Sequence, residues 1–341
     1  MTLCIYIYIY IYMNNLIKII IIIFFIEIFI LLFNFINGIY KYFLLREKDI
    51  CNIYKSITDD NPYVLITGAS SGQGRDFAIE FAKRGFNLFL IGSQNINKTK
   101  DLINNLYPNV TVKILIKDFS HAINPSFFND IENEIRILNT KISICINNVA
   151  YRTGWIGFEN MDTKNIYDTI SVKPISYSII TKMIIPIFLE RKKLGLKSCL
   201  INISAQCMYN TNFLGNIKTA DISVPYLNVY EASNAYTYYF TNSIYKEYKD
   251  KFDILNITPG AVITENTQYL ENTIFSITSK KFVSNIMKFI GNITGTTCGY
   301  WKHALSPYLI NLFPFIKDKI LYDVGKNIAI DFMDKNKKVI N

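Results

Sequence analysis

The chain has 341 residues, half of them hydrophobic, enough to bury a large core, so one α/β domain with an appendage is the expected plan. Its formal charge of +9 comes from scattered lysines without an arginine cluster or a basic helix face; this argues against nucleic-acid binding and leaves a solvated lysine surface, or attraction to anionic lipid. The six cysteines form no Cys-x-x-Cys pair, and two histidines, His121 and His303, do not make a zinc site between them, so reduced structural thiols and no metal are expected.

The N-terminus differs in kind from the rest. Ile5 to Tyr12 is an Ile-Tyr repeat whose alternation would suit a strand if it stood alone. Leu16 to Ile36 is long and apolar enough to cross a bilayer as a helix, with Lys18 near one end and Glu27 near the middle costing a few kcal/mol, about what insertion scales assign to a central carboxylate. A cleaved signal peptide is the competing reading, but the apolar core is longer than such a region needs and no small-x-small site follows it. Lys41, Arg46 and Lys48 follow the span, which predicts a cytosolic domain beyond it. Residues 1–37 are thus tract and anchor, and 38–61 are a polar hinge-like linker.

From residue 62 the pattern becomes strand, glycine loop, helix, strand. Tyr63 to Thr67 is a buried-strand run that breaks into a loop with Gly68, Gly72 and Gly74. Phe77, Ala78, Phe81 and Ala82 give the following helix an apolar face before Arg84 and Gly85 end it, and Asn87 to Ile91 is the next strand. Glycines in that position admit positive φ and leave room for a phosphate at backbone N–H groups and a helix N-terminus. Glycine-rich turns also serve tight packing, but the flanking strand and helix favour anion binding.

Thr67-Gly-Ala-Ser-Ser-Gly-Gln-Gly74 has the spacing Gly-x-x-x-Gly-x-Gly and resembles the cofactor loop of the short-chain dehydrogenase/reductase family, with Gly68, Ser70, Ser71, Gly72 and Gly74 as implied cofactor contacts. The resemblance implies a Rossmann-type doubly wound parallel sheet with helices on both faces, the ligand lying at the strand C-terminal ends. At the end of the second strand a dinucleotide fold reads the adenosine ribose, with an acid for NAD or a base for NADP. Ser93 stands there, so neither signal is present; Arg75 and Lys98 are partial substitutes and tilt the choice toward NADP(H) over NAD(H). Val112 to Ile116 is the third strand, and Asp118 at its end is the family's adenine contact or an ordinary helix cap. Ile142 to Ile146 is the fourth, ending in Asn147-Asn-Val-Ala150, similar to the family's Asn-Asn-Ala-Gly; Asn147 would tie the central strands together, and Ala150 departs from the glycine.

Reducing a ketone requires a proton donor at its oxygen, a second hydrogen bond to polarise it, and a cation to acidify the donor. The family supplies Tyr-x-x-x-Lys on one helix, Ser at a strand end and Asn on the preceding helix. Here Tyr230-Glu-Ala-Ser-Asn234 keeps the tyrosine and replaces the lysine. The strand Asp253 to Thr258 and Pro259-Gly260-Ala-Val-Ile-Thr264, similar to the family's cofactor clamp, secure that register. In Leu200-Ile-Asn-Ile-Ser-Ala205 the polarising serine is Ala205, and Ser204 is expected on the opposite strand face. An insertion from Asn210 to Asp221 leaves Thr211 or Ser223 as other hydroxyls. Counted back from Pro186, the family's Asn falls on Lys173.

Independent loss in an inactive homologue would scatter such changes. A compensated exchange would keep a cation and an amide side by side, Lys173 for Asn and Asn234 for Lys. The catalytic candidates are therefore Tyr230, Lys173, Asn234 and Ser204, and Tyr230, Pro259, Gly260 and Thr264 join the cofactor contacts.

Lys281 to Ile290 is an amphipathic helix, and the tail Gly-Tyr-x-x-His303-Ala-Leu resembles the 17-beta-hydroxysteroid dehydrogenase and very-long-chain 3-oxoacyl-CoA reductase branch. His303 is expected to be structural; Leu309, Leu312, Phe313, Phe315 and Ile316 are core, lid or lipid-facing surface. The resemblance implies a membrane-anchored reductase of a lipid ketone at the endoplasmic reticulum, and a homodimer. A nucleotide-binding scaffold or sensor without turnover is the alternative.

Overall fold

A computed structural model of the chain describes residues 2–56, 61–151, 154–206, 210–211, 217–218, 223–265, 267–268, 273–311 and 314–340. Seven parallel strands form the main sheet: β1 (Tyr63–Thr67), β2 (Asn87–Gly92), β3 (Val112–Ile116), β4 (Ile142–Asn147), β5 (Cys199–Ile203), β6 (Asp253–Ile257) and β7 (Gly295–Thr297). Their spatial order is β3-β2-β1-β4-β5-β6-β7, the doubly wound arrangement the sequence implies, with the reversal between β1 and β4. Observed strand limits differ from the expected ones by a residue or so, because each apolar run ends at the same loop residue that ends the ladder.

Alternation along the strands divides two cores. Val64, Ile66, Leu88, Leu90, Ile144 and Ile146 pack with α3 (Gly72–Lys83), whose Phe77, Ala78, Phe81 and Ala82 are all buried as expected, and with α9 (Ser279–Met287). Leu65, Phe89, Ile142, Cys145 and Leu200 face the other way, onto α5 (Asn129–Leu138) and α7 (Ser176–Lys193). α8 (Asn228–Tyr248) lies on this second face as well, where Ile244, Tyr245 and Tyr248 pack on the same core.

Two expectations about the N-terminus change. The Ile-Tyr tract continues one helix, α1 (Thr2–Ile39), instead of forming a strand: every residue in the repeat is apolar, so the alternation supplies no polar face, and a helix satisfies its backbone internally. Residues 17–44 are long and apolar enough to cross a membrane; their most apolar window is not buried against the rest, whereas at the end of the stretch Tyr42 packs on Phe289 and Phe43 on Trp301. The segment expected to be a hinge is instead packed. Leu45, Ile50 and Tyr54 belong to the α3-side core, the Tyr54 hydroxyl donates to Asp253 Oδ2 at 2.7 Å, and Lys48 Nζ donates to the Gly291 carbonyl at 3.1 Å. Fully buried Arg191 on α7 holds the Lys55 carbonyl at 2.8 Å together with Thr140 and Lys197 carbonyls, so its fork binds arm and domain through neutral acceptors. Three apolar anchors in a polar stretch were too sparse to register as an element.

At the C-terminus, α10 (Trp301–Asn311) and α11 (Pro314–Ile340) leave Leu309 part-exposed and Phe315 and Ile316 well exposed, so those residues are surface and not core; Leu312 and Phe313 lie outside the described residues. Among the described residues of the insertion, Asn210–Thr211 pairs antiparallel with Ile217–Lys218.

Candidate active site

The glycine loop sits at the reversal point of the sheet. Gly68 and Gly72 have φ of +67° and +53°, and a Cβ on Gly74 would stand 2.1 Å from the Gly68 carbonyl oxygen. Those contacts leave no room for side chains, so loop and helix start close to one another and backbone amides line the mouth. Thr99 on α4 (Ile96–Leu106) donates to the Ala69 carbonyl at 3.0 Å, pinning the loop from behind. Ser70 Oγ donates to the Ser93 carbonyl at 3.3 Å, and Ser71 is the N-cap residue of α3 without a side-chain cap bond. Asp118 accepts from the Ser120 amide at 3.0 Å, the helix-cap use. Its carboxyl is held below the usual range, chiefly by that bond.

Opposite the loop, a polar row crosses the α7 face. Asn147, Asn202 and Asn256 stand in register on β4, β5 and β6, all buried. Asn147 Nδ2 donates to Asn202 Oδ1 at 2.9 Å and to Thr181 Oγ1 at 3.2 Å, and Asn202 Nδ2 donates to Thr241 Oγ1 on α8 at 2.9 Å. Asn147 thus ties β4 to β5 and to α7, and Asn202 continues the link to α8. Ser204 falls on this face too: its hydroxyl donates to Asn256 Oδ1 at 3.1 Å, so it serves the row. Ala205 is buried and offers no hydroxyl.

The residues expected to be catalytic come from α8 and from the π-helical turn Ser171–Ile175 that precedes α7. Pro174 lacks an N–H and loosens the regular ladder in that turn, which carries Lys173 inward until it is 3 % exposed. Lys173 Nζ donates to Asn234 Oδ1 at 2.5 Å, and Asn234 Nδ2 donates to the Tyr230 carbonyl at 2.9 Å. The ammonium also lies 5.6 Å from the ring centroid of Tyr177, whose hydroxyl is shared between the Val149 (3.1 Å) and Ile203 (3.0 Å) carbonyls. Burial first, and then the charge of nearby Tyr230, push the Tyr177 phenol well above its ordinary range, so it stays a neutral donor. Tyr230 is half-buried, one turn before Asn234 and packed on Trp155 and Leu227.

Beyond the strands, Pro259 accepts from the Gln206 amide at 2.8 Å, and Gly260 N–H donates to His303 Nδ1 at 3.1 Å. His303 is therefore a strut under the clamp, as a structural histidine. Burial lowers its pKa to about 4, which keeps Nδ1 free to accept. Thr264 bonds Thr267, and its neighbour Glu265 reaches the glycine loop. Thr99, Tyr177 and Glu265 had no motif to mark them. Thr99 and Tyr177 are recognisable only once α4 and α7 are docked, and Glu265 only once the clamp is folded over the loop.

The short chain dehydrogenase family model matches residues 62–274. The very-long-chain 3-oxoacyl-CoA reductase of Rattus norvegicus is 27% identical over 286 residues, 81% of this chain and 83% of that protein. A short-chain dehydrogenase from Sphingobium yanoikuyae in complex with NADPH superposes with a TM-score of 0.56 at 20% identity, covering 75% of this chain and 96% of that one. The 3-ketoacyl-(acyl-carrier-protein) reductase of Brucella melitensis complexed with NADH gives 0.57 at 18%, covering 70% and 95%.

Proposed function

This chain belongs to the short-chain dehydrogenase family, an oxidoreductase family, and on that premise we propose that it is a membrane-anchored, NADP(H)-dependent reductase of lipid ketones, a 3-oxoacyl thioester or a steroid-like ketone. The residues present fit a dinucleotide: a side chain on Gly68, which would meet Val149 Cα at 2.8 Å, or on Gly74, which would meet the Gly68 carbonyl, would push apart the loop and the helix start that present the Gly72 amide at the reversal point of the sheet. Gly68, Ser70, Ser71, Gly72 and Gly74 would hold the diphosphate, Ser93 and Asp118 the adenosine end, and Asn147, Tyr230, Pro259, Gly260 and Thr264 the nicotinamide end. When bound, the nicotinamide supplies hydride. The preference for the 2′-phosphorylated form rests on Arg75 and Lys98 and on the lack of an acid at Ser93. The endoplasmic reticulum membrane, with the domain in the cytosol, follows from the apolar helix, the cations after it and the kind of relatives found.

The observation that carries the catalytic reading is the Lys173–Asn234 bond, which joins the π-turn to the tyrosine's own helix. Tyr230 would give the proton to the substrate oxygen. Lys173, as a positioning residue, would favour the phenolate left behind through its charge, and Asn234 would orient the ammonium. The buried Tyr177 hydroxyl and the asparagine row keep both helices in place. Ser204 was a catalytic candidate, but its bond to Asn256 gives it a supporting role.

A second reading, a nucleotide-binding scaffold or sensor, is favoured by Ala205, since loss of one oxyanion donor costs about 2.7–4 kcal/mol of transition-state stabilisation. NADPH consumption by the detergent-solubilised full chain with 3-oxoacyl-CoA and ketosteroid substrates separates the two. Turnover supports the reductase; retention of NADPH without turnover on any substrate supports the scaffold.

A further inference from the structure

Glu265, next to the clamp threonine, turns its carboxylate onto the mouth of the glycine loop. Glu265 Oε2 accepts from the Gly72 amide at 3.1 Å, the first amide of α3, and Oε1 pairs with the Arg75 guanidinium one turn further along the same helix. Thr264 follows the same approach: a Cβ on Gly72 would meet Thr264 Cγ2 at 3.2 Å. Burial works against the charge, but the Glu265 and Gly72 amides and Arg75 outweigh it and hold the carboxyl below its usual range.

An amide at a helix N-terminus and an adjacent guanidinium are the donors a diphosphate takes. Resting on the cofactor reading above, we propose that Glu265 is an internal rival of the diphosphate, an anion on the clamp that occupies the Gly72 amide and Arg75 and must yield them when a dinucleotide binds. The same exchange bears on the clamp, because Glu265 adjoins Thr264, itself tied to Thr267, and release of the carboxylate removes the bond that holds clamp to loop. Competition then requires that whatever weakens the Glu265 contacts strengthens nucleotide binding, by up to the same factor. The Gly72 amide serves the diphosphate common to both nicotinamide cofactors, so both should gain, while release of Arg75, which also supports the 2′-phosphate reading above, adds to the gain for NADPH.

The test is fluorescence titration of NADPH and of NADH into the full chain, wild type beside Glu265→Gln. Glutamine retains an oxygen for the Gly72 amide and removes the charge. The expected result is that both nucleotides bind roughly threefold to tenfold more tightly to the variant, the range that an exposed charge-assisted contact commands. Inorganic pyrophosphate should compete with nucleotide more strongly in the variant as well. If wild type binds nucleotide and the variant binds it equally or more weakly, Glu265 is merely a brace between clamp and loop and the inference is overturned alone. If neither protein binds either nucleotide, the cofactor reading falls and takes the inference with it. A thermal melt of the variant shows that the comparison is between folded proteins, and Glu265→Ala, lacking both charge and acceptor, should tighten binding in the same direction.

Discussion

The glycine loop of β1 and α3 and the facing pair of α7 and α8 meet at one end of the sheet, yet they are made of different material. The loop is made of backbone: two positive φ values, a Gly68 carbonyl against Gly74, and a Gly72 amide that reaches out of the loop to Glu265. The helix pair is made of side chains, with those of Lys173, Tyr177 and Asn234 in contact and Asn234 holding the Tyr230 carbonyl one turn back. A backbone site tolerates few substitutions, because the missing Cβ is the function. A side-chain site can be re-made with the same groups on exchanged positions, and Lys173 and Asn234 have that appearance: the cation and the amide that the family carries are both here and in contact, each on the other's helix.

The contrast breaks most severely in the loop. Gly74→Ala would drive a methyl group into the Gly68 carbonyl at 2.1 Å and Asn148 Nδ2 at 2.7 Å, so backbone must move. We expect loss of nucleotide binding in equilibrium dialysis together with about 1–3 kcal/mol or more of stability, the usual cost of overpacking. An alanine that binds nucleotide normally would show that the loop is only a turn.

A comparable effect, spread over pH, is expected at the clamp between them, through His303. Its folded pKa of about 4 lies below the unfolded value near 6.5, so the unfolded chain takes up the proton first. The stabilising contribution is complete above pH 6.5 and is lost as pH falls toward 4, about 3 kcal/mol in all. Protonation at Nδ1 would also break the bond from Gly260. Denaturant titrations between pH 7 and pH 4 should show this fall, and His303→Gln should flatten it; an equal slope in both proteins would remove His303 as the strut.

The smallest effect sharpens the comparison by lying outside both regions. Tyr54→Phe deletes the 2.7 Å bond from the N-terminal arm to Asp253, at the strand end away from the site. A loss of about 1.5 kcal/mol in thermal unfolding, without change in nucleotide affinity, is expected for one hydrogen bond to a charged acceptor.

Much of the fold was legible because its signals are local. Tyr63–Thr67 and Val112–Ile116 are continuous apolar runs bounded by loop residues, and the four apolar residues of α3 fall on one face. The arm was not, since Leu45, Ile50 and Tyr54 are separated by charged residues and acquire meaning only against a core that lies elsewhere in the chain. In the site, the glycines announced themselves by spacing, whereas Tyr177 and Thr99 act on backbone carbonyls, which carry no residue signature. Lys173 was found by counting from Pro186, but its contact with Asn234 required the docking of two helices. Ser204 shows the limit of local reading: alternation gave its face, and only the fold gave its partner, Asn256.

The claim on which the account turns is that Lys173 and Asn234 act as one exchanged pair beside Tyr230, and its most direct measurement is the rate–pH profile of four proteins: wild type, Lys173→Asn, Asn234→Lys, and the double exchange. The account predicts that Lys173→Asn lowers kcat by about 10²- to 10³-fold and moves the tyrosine limb to higher pH, as removal of a nearby ammonium should. The double exchange should recover at least about tenfold of that rate and return the limb toward its wild-type position, since the same charge is back beside the same phenol. Turnover and pH profile unchanged in Lys173→Asn, or a double exchange as slow as the slower single variant, would contradict it.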